Sequence, residues 1–315
     1  VNYSKLGKTE IAVSRLCFGT LTIGPLQARL SLEKGASLLV EAFERGINFF
    51  DTAETYHNYD YLRTAFKGMN PKPVVATKSY AYKASTMEQS LSRALKDMAL
   101  EAVDIFLLHE QESENTIKGH FEALEYLIRA KEKGYVRAVG ISCHTVAAVE
   151  AALNFPEIEI FHPLVNIRGI GIRDGTPKQM LEVIRKAAGK NIGIYAMKPL
   201  GGGHLIQQAE DAFQFLLSHN FIHSVAVGMQ SREELLFNRA VFSGEPVPEE
   251  LKTGLKHKPR RVVVEDWCKG CGECTHHCPQ GALTVKEHKA YVDKRLCIFC
   301  GYCGLYCEDI CIKIY

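Results

Sequence analysis

The chain has 315 residues and a mass of 35.2 kDa, which at roughly 150 residues per domain suggests about two domains. Hydrophobic residues make up 46% and charged residues 23%, an ordinary globular composition that excludes a disordered chain. With 38 Lys and Arg against 36 Asp and Glu, the net charge of +2 offers no global field to nucleic acid or to an acidic membrane.

In chain order, the first 258 residues alternate short β-branched runs with longer amphipathic stretches. The runs are Leu16–Gly19, Asn48–Asp51, Val74–Lys78, Val103–His109, Val136–Ser142, Ile158–Asn166, Ile192–Met197 and Ser224–Gly228. Between them, Leu32–Arg45, Met87–Met98 and Phe121–Lys131 carry helical periodicity. Gly46, Gly134 and Gly189 fall where helix C-caps are expected. Eight such pairs in about 250 residues predict a closed (β/α)8 TIM barrel. The open doubly wound sheet is the rival, but no Gly-x-Gly-x-x-Gly follows the first run. Val1–Val13 reads as a hairpin around Gly7-Lys8 closing the barrel bottom. Residues 245–260, with three prolines and a basic run, read as a surface linker. These readings divide the chain into a barrel domain, 1–258, and a small α+β domain, 259–315. No apolar run reaches the roughly 18 residues of a membrane span. The polar start Val1–Lys8 lacks the apolar region of a signal peptide, so the expected location is cytoplasmic.

The cysteines are unevenly spread. Residues 1–267 hold Cys17 and Cys143; the last 48 residues hold nine. A disulfide scaffold fits such density only in an exported chain. The tail instead repeats itself at an offset of 29 residues: Cys268, Cys271, Cys274 and Cys278 map onto Cys297, Cys300, Cys303 and Cys307. Each half reads Cys-x-x-Cys-x-x-Cys-x-x-x-Cys, which matches the bacterial two-cluster ferredoxin run, where the fourth cysteine ligates the other cluster. The match implies one 4Fe–4S cluster on Cys268, Cys271, Cys274 and Cys307, and a second on Cys297, Cys300, Cys303 and Cys278. Two zinc sites are the alternative, but zinc takes pairs of Cys-x-x-Cys, and three cysteines at this spacing, twice, are poorly explained that way. Cys311 lies outside the pattern, opposite Ala282, and reads as a core thiol. Cys278 is followed by proline, Cys307 by Glu308.

Reactive residues end three consecutive runs, where a barrel keeps its chemistry. Asp51 ends the second, Lys78 the third and His109 the fourth, with Tyr56 just beyond Asp51. Singly, each has an ordinary reading as cap, loop cation, rim aromatic or core imidazole. Together they place an acid, a phenol, an amine and an imidazole over one barrel mouth. His57, His144 and His162 also lie near strand ends, have no motif behind them, and read as polar rim residues.

Over about residues 4–240 the chain resembles the aldo-keto reductase family. The resemblance is carried by Gly46-Ile-Asn-Phe-Phe-Asp51-Thr-Ala-x-x-Tyr56, Lys78, Leu107-Leu-His109, Val139-Gly-Ile-Ser142 and Ala196-Met-Lys-Pro-Leu200-Gly. With the tail included, it resembles the subgroup that fuses this barrel to a ferredoxin-like domain. The resemblance implies a catalytic tetrad. Tyr56 donates a proton to a carbonyl oxygen, and Lys78 lowers the phenol's pKa. Asp51 orients Lys78, and His109 hydrogen-bonds the substrate oxygen. It also implies a nicotinamide cofactor touching Gly19, Thr20, Ser142, Asn166, Met197, Lys198, Leu200, Gly201, Gly228 and Asn238. Glu234 stands where NADPH-preferring members often carry Arg, with Arg232 and Lys198 nearby to offset it, so NADP(H) and NAD(H) both stay open.

The implied enzyme is an oxidoreductase acting on a small carbonyl or alcohol, with clusters attached. Nicotinamide moves two electrons as hydride, and cubane clusters move one at a time. A flavin, a redox partner protein or a radical-forming substrate has to split the pair. The alternative function is an electron-transfer iron–sulfur module docking to a larger redox partner.

Overall fold

The computed structural model describes residues 1–256 and 260–314. An antiparallel hairpin, β1 (Tyr3–Lys5) and β2 (Ala12–Ser14), comes first. Eight parallel strands then close a barrel. They are β3 (Leu16–Gly19), β4 (Phe49–Asp51), β5 (Val74–Ser79) and β6 (Val103–Gln111), followed by β7 (Val136–Cys143), β8 (Ile160–Pro163), β9 (Gly193–Met197) and β10 (Ser224–Gly228). β10 pairs back onto β3, Val225 opposite Leu16. The helices between and after them are α1 (Leu32–Glu44), α2 (Tyr59–Phe66), α3 (Ala84–Met98), α4 (Glu114–Gly119), α5 (Phe121–Glu132), α6 (Val146–Ala152), α7 (Pro177–Gly189), α8 (Ala209–Leu217), α9 (Arg232–Ser243) and α10 (Glu249–Lys256).

All eight expected runs are barrel strands. β8 is shorter than expected at both ends; beyond it the pairing continues only as an isolated bridge from Leu164 to Met197, and Asn166 sits in the loop that follows. Gly46 (φ 88°) and Gly134 (φ 82°) do take the left-handed turn after their helices. Gly189 does not: α7 runs through it, and Asn191 (φ 58°) makes the turn. The expected linker 245–260 is largely helical, since α10 occupies Glu249–Lys256 with two acids in its favoured first turn. The expected boundary at 258–259 and much of the basic run lie outside the described residues.

The two-residue period of a strand sorts the side chains. Along β6, Ile105 and Leu107 fill the barrel interior, while Phe106 and Leu108 join the layer between sheet and helices. The hairpin plugs the interior from below with Leu6, Ile11 and Val13. The turn at Gly7 passes so close to Asn191 and Gly193 that a side chain there would strike their backbone. Carrying the interior parity upward leads from Phe49 to Asp51, from Ala76 to Lys78, from Leu107 to His109, from Ile160 to His162 and from Ala226 to Gly228. The apolar core thus turns into a polar layer at the C-terminal mouth without any change of pattern.

The C-terminal segment is two pseudo-repeats wound together. β11 (Val262–Val264), from the first half, pairs antiparallel with β14 (Ile312–Ile314) at the end of the second. β12 (Leu283–Lys286) pairs with β13 (Lys289–Val292). The short helices α11 (Glu273–His276) and α12 (Tyr302–Leu305) are each entered through a left-handed glycine, Gly272 (φ 89°) and Gly301 (φ 85°). Those glycines are repeat-equivalent, so the internal repeat is structural as well as sequential. Among the described residues, no helix is long and apolar enough to cross a membrane.

Candidate active site

Four strand ends and one loop build the centre of the barrel mouth. Lys78 on β5 is almost wholly buried and donates to both Asp51 oxygens, at 2.8 and 2.7 Å, and to the Thr52 carbonyl at 2.8 Å. All three ammonium hydrogens are therefore engaged. Tyr195, two residues below Met197 on β9, donates to Asp51 Oδ1 at 3.1 Å. His162 stacks on the Tyr195 ring with centroids 3.8 Å apart, its Nε2 3.6 Å from the same oxygen. Tyr56 lies over this pair, with Lys78 Nζ 5.0 Å from its ring centroid. His109 meets Tyr56 edge-on and stacks on Tyr80 at 4.2 Å.

Burial dominates the electrostatics. Burial, then the charges of Asp51 and Glu110, push the Tyr56 phenol well above its ordinary value. This reverses the expected lowering by Lys78: the ammonium is neutralised by a bidentate carboxylate, so desolvation wins. His109 is pushed well below the usual imidazole range by burial and then by Lys78 and Lys198. It is a neutral ring, and its Nδ1 has no hydrogen-bond partner. His162 is pushed down to about 3 by burial, with Asp51 opposing. His144 is likewise lowered, by burial and then Lys198; its Nε2 lies 3.0 Å from Lys198 Nζ. Both His144 and His162 are buried constituents of the mouth rather than rim residues, whereas His57 is exposed.

A cleft opens from this centre. Of the expected cofactor residues, Gly19, Met197, Lys198, Leu200, Gly228 and Asn238 line it, together with Asp51 and Tyr56. Thr20, Ser142, Asn166 and Gly201 do not. Thr20 Oγ1 donates to the Asp51 carbonyl at 2.9 Å, and Ser142 Oγ accepts from the Glu110 N–H at 2.8 Å. The Asn166 amide is spent on its own loop and on β9, donating to Ile170 O and Lys198 O and accepting from the Arg168 and Ile170 N–H groups. Gly201 packs against the Ile170 side chain. These four brace the floor of the site. Arg232 also misses the cleft: it pairs with Glu41 on α1 at 2.8 Å.

The C-terminal segment roofs the mouth. Gln27 donates to the Phe299 carbonyl at 2.8 Å. His204 Nε2 is 2.6 Å from the Cys297 carbonyl oxygen, and its ring stacks on Phe299. Two glycines allow backbone-to-backbone approach: a Cβ at Gly202 would strike the Ile298 carbonyl, and one at Gly301 would strike that of Leu26. Through this seam the tail reaches the centre. The Tyr302 hydroxyl lies 3.3 Å from His109 Nε2, and Tyr302 packs with Leu26, Ala53 and Tyr56, against Cys300. Cys300, Ile298 and Arg260 form part of the cleft wall. None of Tyr195, Glu110, Tyr302 or Arg260 was expected from sequence. Tyr195 had a signal in its interior parity; the two tail residues had none, because docking leaves no local pattern.

The eight motif cysteines among the tail's nine act mainly within two electrostatic groups. Burial, then Cys271, Cys268 and Cys307, push the Cys274 thiol up to about 11. Cys303 is raised by burial, then by Cys300, Cys297 and Cys278, and least by Cys274 of the other group. The fourth thiol of each run accepts a backbone N–H four residues on: Cys278 Sγ from Ala282 at 3.3 Å and Cys307 Sγ from Cys311 at 3.1 Å. Among the described residues, no group of three or more His, Cys, Asp or Glu is drawn to single-ion distances.

The model of the aldo/keto reductase family matches residues 15–221. The chain belongs to the aldo/keto reductase family. Residues 261–284 match the 4Fe-4S binding domain, so this aldo-keto reductase is an oxidoreductase of a typically NAD(P)H-dependent family, with an iron–sulfur domain attached. It is 26% identical to L-galactose dehydrogenase of Arabidopsis thaliana over 280 residues, 76% of this chain and 87% of that one. Its tail is similar to one component of an ion-translocating oxidoreductase complex of Methanosarcina acetivorans, 37% identical over 59 residues, 19% of this chain and 22% of that one. The fold is that of the holo form of an aldo-keto reductase from Bacillus halodurans, with a TM-score of 0.66 at 19% identity, covering 81% of this chain and 95% of that one.

Proposed function

We propose that this aldo-keto reductase interconverts a small carbonyl and its alcohol at Tyr56, Lys78, Asp51 and His109, and that its tail holds two 4Fe–4S clusters, one of them facing the same site. The observation that carries this is the shared wall: Cys300 lines one cleft with Asp51, Tyr56 and Met197. A cluster domain serving only as a structural appendage has no reason to present a ligand there.

In this reading a nicotinamide dinucleotide in the cleft, against Gly19, Met197 and Gly228, supplies hydride equivalents. Tyr56, kept protonated by burial, donates the proton to the carbonyl oxygen. Asp51 and Tyr195 hold Lys78 beneath the phenol, where the ammonium stabilises charge left on Tyr56 after transfer. His109 is neutral and orients the substrate oxygen. An oxygen addressed by both Tyr56 and His109 competes with the Tyr302 hydroxyl for His109 Nε2, so substrate entry shifts Tyr302.

Cys268, Cys271, Cys274 and Cys307 would hold one cluster, and Cys297, Cys300, Cys303 and Cys278 the other. The fit rests on the two thiol groups and on the N–H bonds to Cys278 and Cys307. Thiols that raise one another's pKa ionise together only around metal charge. The clusters supply single electrons. The two sets differ in exposure: Cys271 is exposed, and Cys300 looks into the cleft. Trp267, Tyr306 and Ile310, 54%, 45% and 54% exposed, lie on the same small domain. That orders the sets, one toward an outside redox partner and one toward the barrel, and it is the observation favouring the second reading, an electron-transfer protein with a flavin or partner splitting electron pairs.

Anaerobic protein should contain about eight iron and eight sulfide per chain; stoichiometric zinc without acid-labile sulfide overturns the cluster assignment. Its visible spectrum resolves any flavin. Tyr56→Phe should keep dinucleotide binding and the cluster spectrum while aldehyde turnover falls at least about 100-fold. Undiminished turnover removes the acid role. If Cys271→Ser/Cys300→Ser still reduces an aldehyde with NAD(P)H, the clusters serve a partner; loss of that activity in a folded barrel puts them on the catalytic path.

A further inference from the structure

The cleft contains a cation that the barrel does not supply. Arg260, at the start of the tail, crosses the domain seam and lines the cleft beside Glu234 and Asn238 on α9. It is fixed on two sides. Its Nη1 donates to Gln27 Oε1 at 3.0 Å, and its stem lies so close to Gly203 (φ 126°) that only a residue without a Cβ fits there comfortably. Gln27 is itself tied to the tail through the Phe299 carbonyl. Burial lowers the pKa of the guanidinium, while the Glu234 charge opposes that shift. Among the described residues Arg260 makes no ion pair, so a partly buried, clamped fork of donors faces the cleft with the Glu234 carboxylate near but not bonded to it.

The barrel's own candidates are committed elsewhere. Arg232 pairs with Glu41 outside the cleft, and Lys198 is turned to His144. Glu234, whose carboxylate accepts from the Gln230 N–H at 2.7 Å, would repel a phosphate arriving at this end. A dinucleotide laid from Met197 toward Asn238 brings phosphate oxyanions past this region, and a planar guanidinium suits them better than any other side chain.

We propose that Arg260 is a phosphate-binding residue of the dinucleotide cleft, so that the iron–sulfur domain completes the cofactor site of the barrel it roofs. This rests on the nicotinamide reading above. The shared chemistry is a phosphate oxyanion, either the pyrophosphate or the ribose 2′-phosphate.

The test is calorimetric titration of anaerobic, cluster-loaded full-length protein with NADPH and with NADH. Arg260→Gln should weaken binding at least about tenfold, the size of a lost charged hydrogen bond, with Arg260→Lys partly restoring it. Loss confined to NADPH identifies the 2′-phosphate, and equal loss with both identifies the pyrophosphate. Arg232→Gln should change neither. Unchanged affinity in a folded Arg260→Gln protein with intact cluster absorbance overturns the inference but leaves the nicotinamide reading standing. A wild-type protein that binds neither dinucleotide overturns both. If Arg260→Gln does not fold, Glu234→Gln carries the test: relief of repulsion should tighten NADPH several-fold, and no change overturns the proposal.

Discussion

The barrel and the tail are held by different forces. The barrel buries continuous layers of Phe, Leu, Ile and Val on both faces of its sheet, each large side chain contributing roughly 1.5–3 kcal/mol. The tail's own central cluster is Cys274, Leu283, Ala290, Cys303 and Ile312, and two of those five are proposed ligands. So little apolar surface cannot offset the chain entropy of a segment this size. The barrel is thus specified by pattern, and the tail by where its thiols must meet. The same contrast runs through their chemistry: the barrel keeps one buried ion pair at its centre, while the tail keeps thiols that want metal.

The largest effect should come from removing metal. Anaerobic chelation should abolish the tail's fold and leave the barrel's helical circular dichroism in place, giving two separate transitions. A single cooperative collapse would break the comparison. Next is Asp51→Asn, which leaves the Lys78 ammonium buried against a neutral amide. Loss of one partner of such a pair costs about 3–5 kcal/mol, read as a lower barrel melting temperature with the cluster spectrum unchanged. A cost below about 1 kcal/mol would mean that water reaches Lys78.

Acid should sharpen the difference further. His109, His144 and His162 are buried and neutral, with pKa values below the unfolded value near 6.5. Unfolding therefore takes up protons below pH 6.5. The barrel keeps its full stability above that pH and loses it as pH falls toward 3, by up to about 1.4 kcal/mol per pH unit for each ring. Urea titrations between pH 7 and 5 measure this slope, and a flat profile would place water at the rings. The smallest effect is that of Tyr302→Phe, which keeps the packing and removes one hydroxyl from His109. It should cost about 0.5–1.5 kcal/mol of tail docking and lower the aldehyde KM. A raised KM would instead make Tyr302 part of the substrate's seat.

What could be read beforehand follows the same division. Strand parity made the barrel legible to the level of Asp51, Lys78 and His109, because one alternation carries the chain from core to mouth. Spacing carried the proposed cysteine sets, because three members of each fall within one run and the fourth within the other. The seam was not legible. Tyr302, Arg260 and Cys300 acquire their surroundings only when two separately patterned units dock. The hydrogen bonds of Ser142 and Asn166 to neighbouring loops were equally unreadable, because no periodicity describes the paths of those loops. The direction of the Tyr56 pKa was missed because burial outweighs a neighbour that is already neutralised.

The paired glycines of the seam bear on inheritance. Gly202 belongs to the barrel and Gly301 to the tail, and each removes a side chain where the other unit's backbone passes. Both also hold a left-handed φ, 74° at Gly202 and 85° at Gly301, so each serves its own turn as well as the seam. A graft of this tail onto a sister barrel would have to carry an alteration at the recipient's equivalent of Gly202, and a tail borrowed from a free electron carrier would need its own counterpart of Gly301. The fusion is therefore not an interchangeable cassette. A chimera whose barrel carries a side chain at the position of Gly202 should assemble its iron and still hold the roof away from the mouth.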